Sequence, residues 1–585
     1  MPGPAGAYTE PPIALLTLEH AGRVWRVASV ACDIQDKDGK WIHFASGIGD
    51  YDIYREAIPF SWEISGQIDI EAIVGPGFAE LQRLGGDPGA ITGEVSLWRR
   101  GDAWERRERF QSGRVSVQEW GSATEPARIS VLPEDPAEDQ RTWPPESQTI
   151  SEETWSTPLG ATYRTYDEDS SGGRTYPQPF GRAGLMHMRA GLSTVPACPA
   201  HVVVVAGDLI EFRTPFHDET GAQILIYDPV ALTGNPPPPT YPAVGYYRNY
   251  VLIAGTWIWP QLGAGTGDYR VTVHGGDGSS EWAYLYFARD ALGQIVALAG
   301  KVGWTTLYSG TGIAPGNEYW VSFDDGAQGN EWFDGPMIGA DELVRWVLSL
   351  CDRPVDWARS SAASGLRRFR LAGYWDQSCD PWTWGADNLE SLLPMSMCSG
   401  PDGVYPLCWR VDATASSPCV RAHLVDGLDC TIEEDPSQEM QDAVVSSSAL
   451  AYATNLRTKT DFGRKAWGAD KNPSDAQESA SLHTRRAGLG WGARDEQVRT
   501  DVISGDSQTA DLVLAWRSQV YSRPWTVLHV VGDGLHHRQI GHLGPGDVVT
   551  ITSTRCGLVR RVAHVRRAGW MGALAYVDLV IFAEP

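Results

Sequence analysis

The sequence predicts a mainly β protein of the α+β class with several domains. Short runs of β-branched and aromatic residues recur at both ends of the chain, turn residues separate them, and helical periodicity is confined to short segments between them. At 585 residues the chain is too long for one core, since a domain takes roughly 100–200 residues. With 42% hydrophobic residues it has enough apolar material for several cores.

Residues 1–135 are predicted to form the first β domain, a barrel or sandwich. Turns such as Asp38-Gly39 and Gly101-Asp102 separate its strands at the spacing typical of antiparallel sheets. A further strand is expected from Trp104 to Phe110. The other predicted strands are Ile13–Leu18, Arg23–Val27, Trp41–Phe44, Ile68–Ile70, Val95–Trp98, Arg114–Val117 and Arg128–Leu132.

Two regions of different character follow. Residues 136–199 are predicted to be an extended arm or linker, because prolines stand there among acidic and hydroxyl residues. Residues 200–337 are predicted to form a β-sandwich-like insertion rich in tryptophan. We favour an aromatic core or subunit interface as the role of these tryptophans. The alternative is a glycan-binding face, because sugar rings stack on exposed aromatic rings, formed by Trp257, Trp259, Trp320 and Trp332.

Residues 338–434 are predicted to be a mixed α/β domain. Leu343, Val344, Val347 and Leu348 recur at helical spacing, with Asp341 as the expected cap. A second helix is expected from about residue 384 to residue 392. Six of the nine cysteines fall in or near this domain, namely Cys351, Cys379, Cys398, Cys408, Cys419 and Cys430.

These six cysteines contain no C-x-x-C pair, so the usual zinc-ribbon and thioredoxin patterns do not apply. We favour reduced, partly buried thiols, then one or two disulfides formed after release from the cell. An iron–sulfur cluster or zinc site assembled from distant loops, with its ligands drawn from these six, is the least favoured alternative, so we expect no cofactor. Cys398 and Cys408 flank a Gly-Pro-Asp-Gly turn and are expected to face one another across a hairpin.

Residues 435–585 are predicted to form a second β domain. A strand is expected at 449–457, a helix at 507–518, and strands at 526–531, 548–552, 562–565 and 574–582. No sequence repeat between this domain and the first is detectable. The segment from residue 470 to residue 506, rich in Ser, Asp, Arg and Gly, is predicted to be a loop.

The formal charge of −25 argues against a surface that grips nucleic acid through its phosphates. Solubility is the simpler explanation of the acidic excess, and a channel through which DNA passes without sticking is the alternative. The first residues lack the basic region of a secretion signal, and no run approaches the roughly 20 apolar residues of a membrane span. We therefore expect a protein folded in the cytoplasm of the cell that makes it.

Three segments carry a resemblance to a known family. The first spans residues 94–120 and contains Trp104-Glu105-Arg106, Gly113-Arg114-Val115 and Glu125-Pro126 just beyond it. The second spans residues 380–410, with Leu392-Leu393-Pro394 and Gly400-Pro401-Asp402-Gly403-Val404-Tyr405-Pro406. The third spans residues 543–570 and opens with Leu543-Gly544-Pro545-Gly546-Asp547. In their residues and in the order of these residues, the segments resemble the tail hub (baseplate hub, tail tip) proteins of long-tailed, siphovirus-like bacteriophages.

This resemblance implies a structural virion protein at the tail tip or baseplate. It implies two tail-tube-like β-barrels per chain and a homotrimer that adapts the sixfold tail tube to a threefold tip, closing the channel until DNA ejection. The implied partners are the distal tail protein and tail tube, the tape-measure protein, central fibre or tail fibre proteins, DNA in passage, and the host envelope during infection. Assembly would take place in the host cytoplasm.

An enzymatic role is not expected, because the chain has no nucleophile elbow, no H-E-x-x-H zinc motif, no phosphate-binding loop and no dinucleotide fingerprint. We therefore assign no catalytic residues. Two alternatives to the hub stay open, both using the tryptophan-rich insertion: a host-surface glycan-binding protein of the tail tip, and a tail-associated depolymerase with paired carboxylates.

Overall fold

A computed structural model describes three main stretches of the protein, residues 10–133, 339–433 and 494–582, each with short internal gaps. It also describes residues 142–143, parts of 437–467, and individual strands between residues 154 and 323. Strands dominate these stretches, which confirms the predicted mainly β fold. Among the described helices, none combines the length and hydropathy that crossing a bilayer requires.

The described residues of the amino-terminal region include nine strands, one α-helix and a 3-10 turn at residues 104–106. Helix α1 (Pro76–Arg83) was not predicted, and a 3-10 turn (Trp104–Arg106) occupies the start of the strand expected from Trp104. The strands are β1 (Ile13–His20), β2 (Arg23–Ala28), β3 (Cys32–Gln35), β4 (Trp41–Ser46), β5 (Ile48–Glu56), β6 (Ile68–Ala72), β7 (Thr92–Trp98), β8 (Glu108–Glu119) and β9 (Ala127–Val131).

The strands of the amino-terminal region pair with one another in a circular order. Strands β5, β6, β9, β8, β7, β1, β2 and β4 pair in that order, and only Gly47 separates β4 from β5. The Gly47 N–H donates to the carbonyl of Ala28, and its own carbonyl accepts from the Ile73 N–H. A Cβ on Gly47 would lie 2.4 Å from a methyl of Val27, so the corner requires glycine. The strands therefore form a closed ring.

Individual strands are described in the middle of the chain. Six of them form an antiparallel sheet in the order β13-β20-β17-β18-β19-β16, while β10 pairs with β11 and β14 with β15. Their bounds are β10 (Thr154–Ser156), β11 (Thr162–Arg164), β12 (Gln178–Phe180), β13 (Met186–Arg189), β14 (Glu211–Phe212), β15 (Ile224–Leu225), β16 (Tyr250–Ile253), β17 (Tyr269–Gly275), β18 (Ser280–Arg289), β19 (Ile295–Val302) and β20 (Glu318–Phe323).

The central region contains two short helices, α2 (Ala340–Leu350) and α3 (Pro381–Leu389). The predicted apolar stripe of α2 is buried, but its cap is Gly339, whose N–H donates to Glu342 at 3.2 Å; the prediction that Asp341 caps this helix was wrong. Helix α3 starts three residues earlier than predicted, because Asp380 caps it by accepting from the Thr383 N–H. Strands β21 (Gly373–Trp375), β22 (Met395–Gly400) and β23 (Gly403–Cys408) complete the region.

In the carboxy-terminal region, the part of the chain that the structure describes contains helices α4 (Ser507–Tyr521) and α5 (His537–Ile540) and ten strands. Strands β24 and β25 precede residue 435, where the second β domain was predicted to begin, yet both pair with its strands. The strands are β24 (Val420–Val425), β25 (Thr431–Ile432), β26 (Ser437–Glu439), β27 (Ser447–Asn455), β28 (Thr460–Trp467), β29 (Asp495–Thr500), β30 (Trp525–Gly532), β31 (Val548–Ser553), β32 (Leu558–Met571) and β33 (Leu574–Ile581).

Pairing in this region also closes on itself. Strands β24, β31, β32, β33, β30 and β25 follow one another, and an isolated bridge between Asp426, just after β24, and Cys430, just before β25, brings the two ends of this order together. Strand β26 pairs with β30 beyond the end of β25. Strand β27 lies between β28 and β29 in a separate three-stranded sheet, against which α4 packs.

The two closed rings share one sheet and one hydrophobic core. Strand β5 of the first ring pairs antiparallel with β32 of the second, from Asp52 opposite Met571 to Glu56 opposite Arg567. We call this pairing the seam. One cluster of buried side chains contains Leu16 and Ile129 from the first ring together with Leu528 and Leu579 from the second.

The rings also repeat one structural unit. Strand β6, helix α1 and strands β7, β8 and β9 have the same order and the same antiparallel pairings as β30, α5, β31, β32 and β33. The third strand of each unit is the long one, with 12 residues in β8 and 14 in β32. The sequence revealed no such repeat, because pairing geometry is preserved here without the residues themselves.

Candidate functional site

The three segments of the sequence resemblance meet in the folded chain. Residues 395–408, in the second segment, form the hairpin of β22 and β23. At its turn, the carboxylate of Asp402 accepts a 2.5 Å hydrogen bond from Arg109 of the first segment. Arg109 also donates to Glu94 at 2.9 Å, and Glu94 accepts from Arg107 at 2.8 Å. An ion-pair network therefore attaches the hairpin turn to β7 and β8.

The third segment contacts the other end of the same hairpin. Leu407 packs against Gly546, whose φ of +83° and lack of a Cβ allow the close approach. The ring of Trp409 lies 6.1 Å from that of His564, and a ring nitrogen of His564 bonds the carbonyl of Arg410 at 3.0 Å. Burial lowers the pKa of His564 to about 4, so its imidazole is neutral and Nε2 donates this bond.

The first and third segments also touch each other directly. The guanidinium of Arg99 lies 5.7 Å from the ring of Trp570, and a small cavity between the segments is lined by Phe110, Leu543 and Trp570. Each of the three segments therefore contacts the other two. We call their meeting place the junction.

The loop between β5 and β6 holds the junction to the first ring. The Ser61 carbonyl accepts from the Met397 N–H at 3.0 Å, and the Trp62 N–H donates to Glu390 at 3.0 Å. Phe60 has a φ of +58°, which is rare for a bulky side chain. Its ring is buried among four aromatic rings at centroid distances of 5.0–6.0 Å, those of Trp409, Trp516, Trp525 and Phe582.

The seam carries a polar network on one face. Asp52 accepts hydrogen bonds of 2.6 Å from both Arg567 and Tyr576, and the Arg567 guanidinium lies 3.5 Å from the ring of Tyr54. Burial raises the pKa of Asp52, although these two donors act in the opposite direction. The prediction had no strand at residues 48–56, although buried Tyr51 and Ile53 alternate with Asp52 and Tyr54.

The structure places the six cysteines apart from a common site. Cysteines 351, 379, 398, 408, 419 and 430 are free, and among the described residues no three His, Cys, Asp or Glu side chains group as metal ligands. The predicted hairpin forms, but Cys398 lies opposite Tyr405 and Cys408 opposite Met395. The expectation that these two face one another was wrong, because the turn at residues 400–403 is tighter than it assumed. Burial raises the pKa of both thiols to about 12.

The predicted glycan-binding residues are mostly outside the described part of the chain. Trp257, Trp259 and Trp332 lie outside it. Trp320 lies in β20, opposite His187 of β13 and His274 of β17. This alternative therefore stays a prediction.

Comparison with known proteins gives a limited result. No protein-family model matches the chain, and no curated protein is similar to it. Among solved structures, the chain is similar to a tail protein from Neisseria meningitidis MC58, with 13% identity, a TM-score of 0.26, and coverage of 54% of this chain and 91% of that one.

Two further solved structures are similar. For the 43 kDa tail protein of prophage MuSo2 from Shewanella oneidensis, identity is 9%, the TM-score is 0.30, and coverage is 97% of this chain and 98% of that one. For prophage tail protein gp18 from Listeria monocytogenes, identity is 9%, the TM-score is 0.22, and coverage is 54% and 88%. Superpositions with TM-scores this low carry no inference about function.

Proposed function

We propose that the chain is a structural protein of a bacteriophage tail, and within the tail the trimeric hub at the distal end. The observation that carries the proposal is the seam, which joins two closed strand rings of repeated architecture within one chain. Three such chains supply six rings, the number needed to match a sixfold tube, while the molecule keeps threefold symmetry.

The junction supports this role. The residues that resemble the hub family are not scattered over the surface, because Arg109, Asp402 and His564 hold the hairpin of β22 and β23 between the two rings. A hairpin held from both sides is suited to fix the angle between rings and to carry the parts that narrow the channel. The proposal includes no enzymatic step and no cofactor.

The proposal places the protein at the tail tip, in contact with the distal tail protein, the tail tube, the tape-measure protein and a central fibre. Closing the channel until ejection is part of it. The net charge of −25 fits a wall along which DNA moves without binding.

Mass in solution tests the proposal. Native mass spectrometry of the full chain, alone and with a purified tail-tube ring, is expected to show three copies of the 63.9 kDa chain and a complex of one trimer with one sixfold ring. A chain that stays monomeric in both mixtures overturns the proposal. A trimer that never joins the ring retains the threefold assembly and overturns its position in the tail.

A further inference from the structure

The repeated unit of the two rings shows where a second seam belongs. Within one chain, the seam joins different strands of the two rings, β5 of the first and β32 of the second. In the repeated unit the counterpart of β32 is β8. If β8 and the counterpart of β5 also have open edges, then two copies of the chain can repeat the seam between them.

Hydrogen bonds fix the correspondence between β8 and β32. The Val115 N–H donates to the carbonyl of Ile91, just before β7, at 2.9 Å. The Val565 N–H donates to the carbonyl of Asp547, just before β31, also at 2.9 Å. Val115 and Val565 are therefore equivalent. A one-residue shift in pairing with the next strand occurs in both, directly after Val565 in β32 and after Val117 in β8, so from Glu119 and Gly569 onward the two strands are again in equivalent register.

After Val115 and Val565, β8 and β32 differ in the strands that pair with them. In β32, residues 567–571 pair with β33 on one side and with β5 on the other. In β8, residues 116–119 pair with β9 on one side, and among the described strands none pairs with them on the other. Ser116, Gln118 and Glu119 are exposed. The position that β5 takes against β32 is thus open against β8.

The counterparts of β5 in the second ring are β25 and β26. Strand β5 lies beside β6 with Tyr51 opposite Ile70, and β25 lies beside β30 with Ile432 opposite Val530. Strand β26 continues along β30, with Ser437 opposite Val527. In the described part of the chain, no strand pairs with β26 on its other edge.

We infer that neighbouring copies of the chain are joined by antiparallel pairing of β26 in one copy with residues 116–119 of β8 in the next. Each copy then supplies one β26 edge and one β8 edge, which is the head-to-tail arrangement that closes a ring. An edge strand completed by another chain gains backbone hydrogen bonds along its length. The inference rests on the proposed trimer and names the surface that forms it.

The internal seam also predicts the register of the second one. Ser437 lies opposite Val527, three residues before Val530, and the register of Tyr51 opposite Ile70 extends to put Tyr54 opposite Gln67, three residues before Ile70. By this extension Ser437 corresponds to Tyr54. Glu119 corresponds to Gly569, and Tyr54 and Gly569 are a pair in the seam. Ser437 of one copy should therefore lie opposite Glu119 of the next, with Cβ atoms about 4.5–5.5 Å apart. That separation is close enough for a disulfide to form with small adjustment.

Disulfide trapping tests the register. The full chain carrying both Ser437→Cys and Glu119→Cys is oxidised and then analysed by denaturing gel electrophoresis without reductant. Bands at two and three times the chain mass are expected, whereas each single variant and the wild type, with their native thiols, give no such ladder. A trimeric double variant that forms no interchain disulfide overturns the inference while the proposed trimer stands.

A second variant tests the edge itself. Because Val115 directs its N–H away from β9, Val117 two residues later does the same. Val117→Pro removes this donor, and proline is tolerated on an open edge strand. We expect Val117→Pro to lower the trimer fraction at least tenfold and Val117→Thr, which keeps the N–H, to leave it unchanged. Unchanged trimer in Val117→Pro overturns the inference, and a monomeric wild type overturns it together with the proposed function.

Discussion

Arg567 donates a 2.6 Å hydrogen bond to Asp52, which lies 515 residues earlier in the chain. Asp52 lies in β5 and Arg567 in β32, so this hydrogen bond crosses the seam. A single side-chain contact therefore indicates whether the two rings are joined. Both side chains are partly exposed, at 25% for Arg567 and 40% for Asp52, so solvent screens their attraction.

A double-mutant cycle measures this pair. Asp52→Ala, Arg567→Ala and the double variant are expected to give a coupling of about 0.5–1 kcal/mol, measured as hydrogen exchange of the peptides that carry residues 52–56 and 567–571. Zero coupling would mean that backbone pairing and packing hold the seam without help from the charges.

Gly569 is expected to be essential for the seam. A Cβ at this position would lie 2.4 Å from the carbonyl oxygen of Ile53. Gly569→Ala should therefore cost roughly 1–3 kcal/mol and accelerate exchange at the seam. Gly544→Ala is the matched control, because nothing lies within 4 Å of the Cβ that it adds. Equal exchange in both variants would contradict the close approach described for β5 and β32.

At position 60, a glycine variant should be at least as stable as an alanine variant, which reverses the usual order of stability. Its φ of +58° costs an L residue roughly 1–2 kcal/mol that glycine avoids. We expect Phe60→Gly to melt at or above the temperature of Phe60→Ala, although both lose the buried ring. At Phe180, which is equally buried, Phe180→Gly should melt below Phe180→Ala. The same order at both positions would refute the left-handed conformation of Phe60.

His564 makes stability depend on acid pH. Burial lowers its pKa to about 4 in the folded chain, against an ordinary value of 6.5. The contribution of His564 to the free energy of unfolding is therefore fully present above about pH 6.5 and is lost as the pH falls towards 4, because in this range only the unfolded chain takes up the proton. The full loss is roughly 3 kcal/mol. Urea midpoints at pH 7 and pH 5 should differ more for the wild type than for His564→Asn. Parallel shifts would show that other groups carry the dependence.

The buried thiols should resist alkylation. Cys398 and Cys408 are buried and their pKa is about 12, so very little reactive thiolate is present at pH 8. After iodoacetamide treatment of the folded protein, peptide mass spectrometry should find both unmodified, while half-buried thiols such as Cys419 and Cys556 are modified. Urea-unfolded protein should react at all sites. Early labelling of Cys398 in the folded chain would be inconsistent with its burial.

Much of the local fold could be predicted, because burial there follows a simple period. Strands such as β1, β31 and β33 have buried apolar runs, and the stripe of α2 from Leu343 to Leu348 repeats at helical spacing. Their predicted bounds agree with the structure to within a few residues. The fold class followed from these elements.

The seam could not be predicted in the same way. Strand β5 is rich in polar residues, because Asp52 and Tyr54 belong to a network completed by Arg567 and Tyr576 from the far end of the chain. The junction raises the same difficulty. The sequence singled out its three segments, but their contacts, such as that of Arg109 with Asp402, depend on tertiary structure.

The seam can form only late in the synthesis of the chain. Strand β5 leaves the ribosome about 500 residues ahead of its partner β32, as the separation of 515 residues between Asp52 and Arg567 shows. At roughly 5–20 residues per second this delay is on the order of a minute. Throughout that interval the edge of β5 lacks its partner, and such edges attract other chains. We therefore expect a nascent chain of this protein to need chaperones most before its last strands are made.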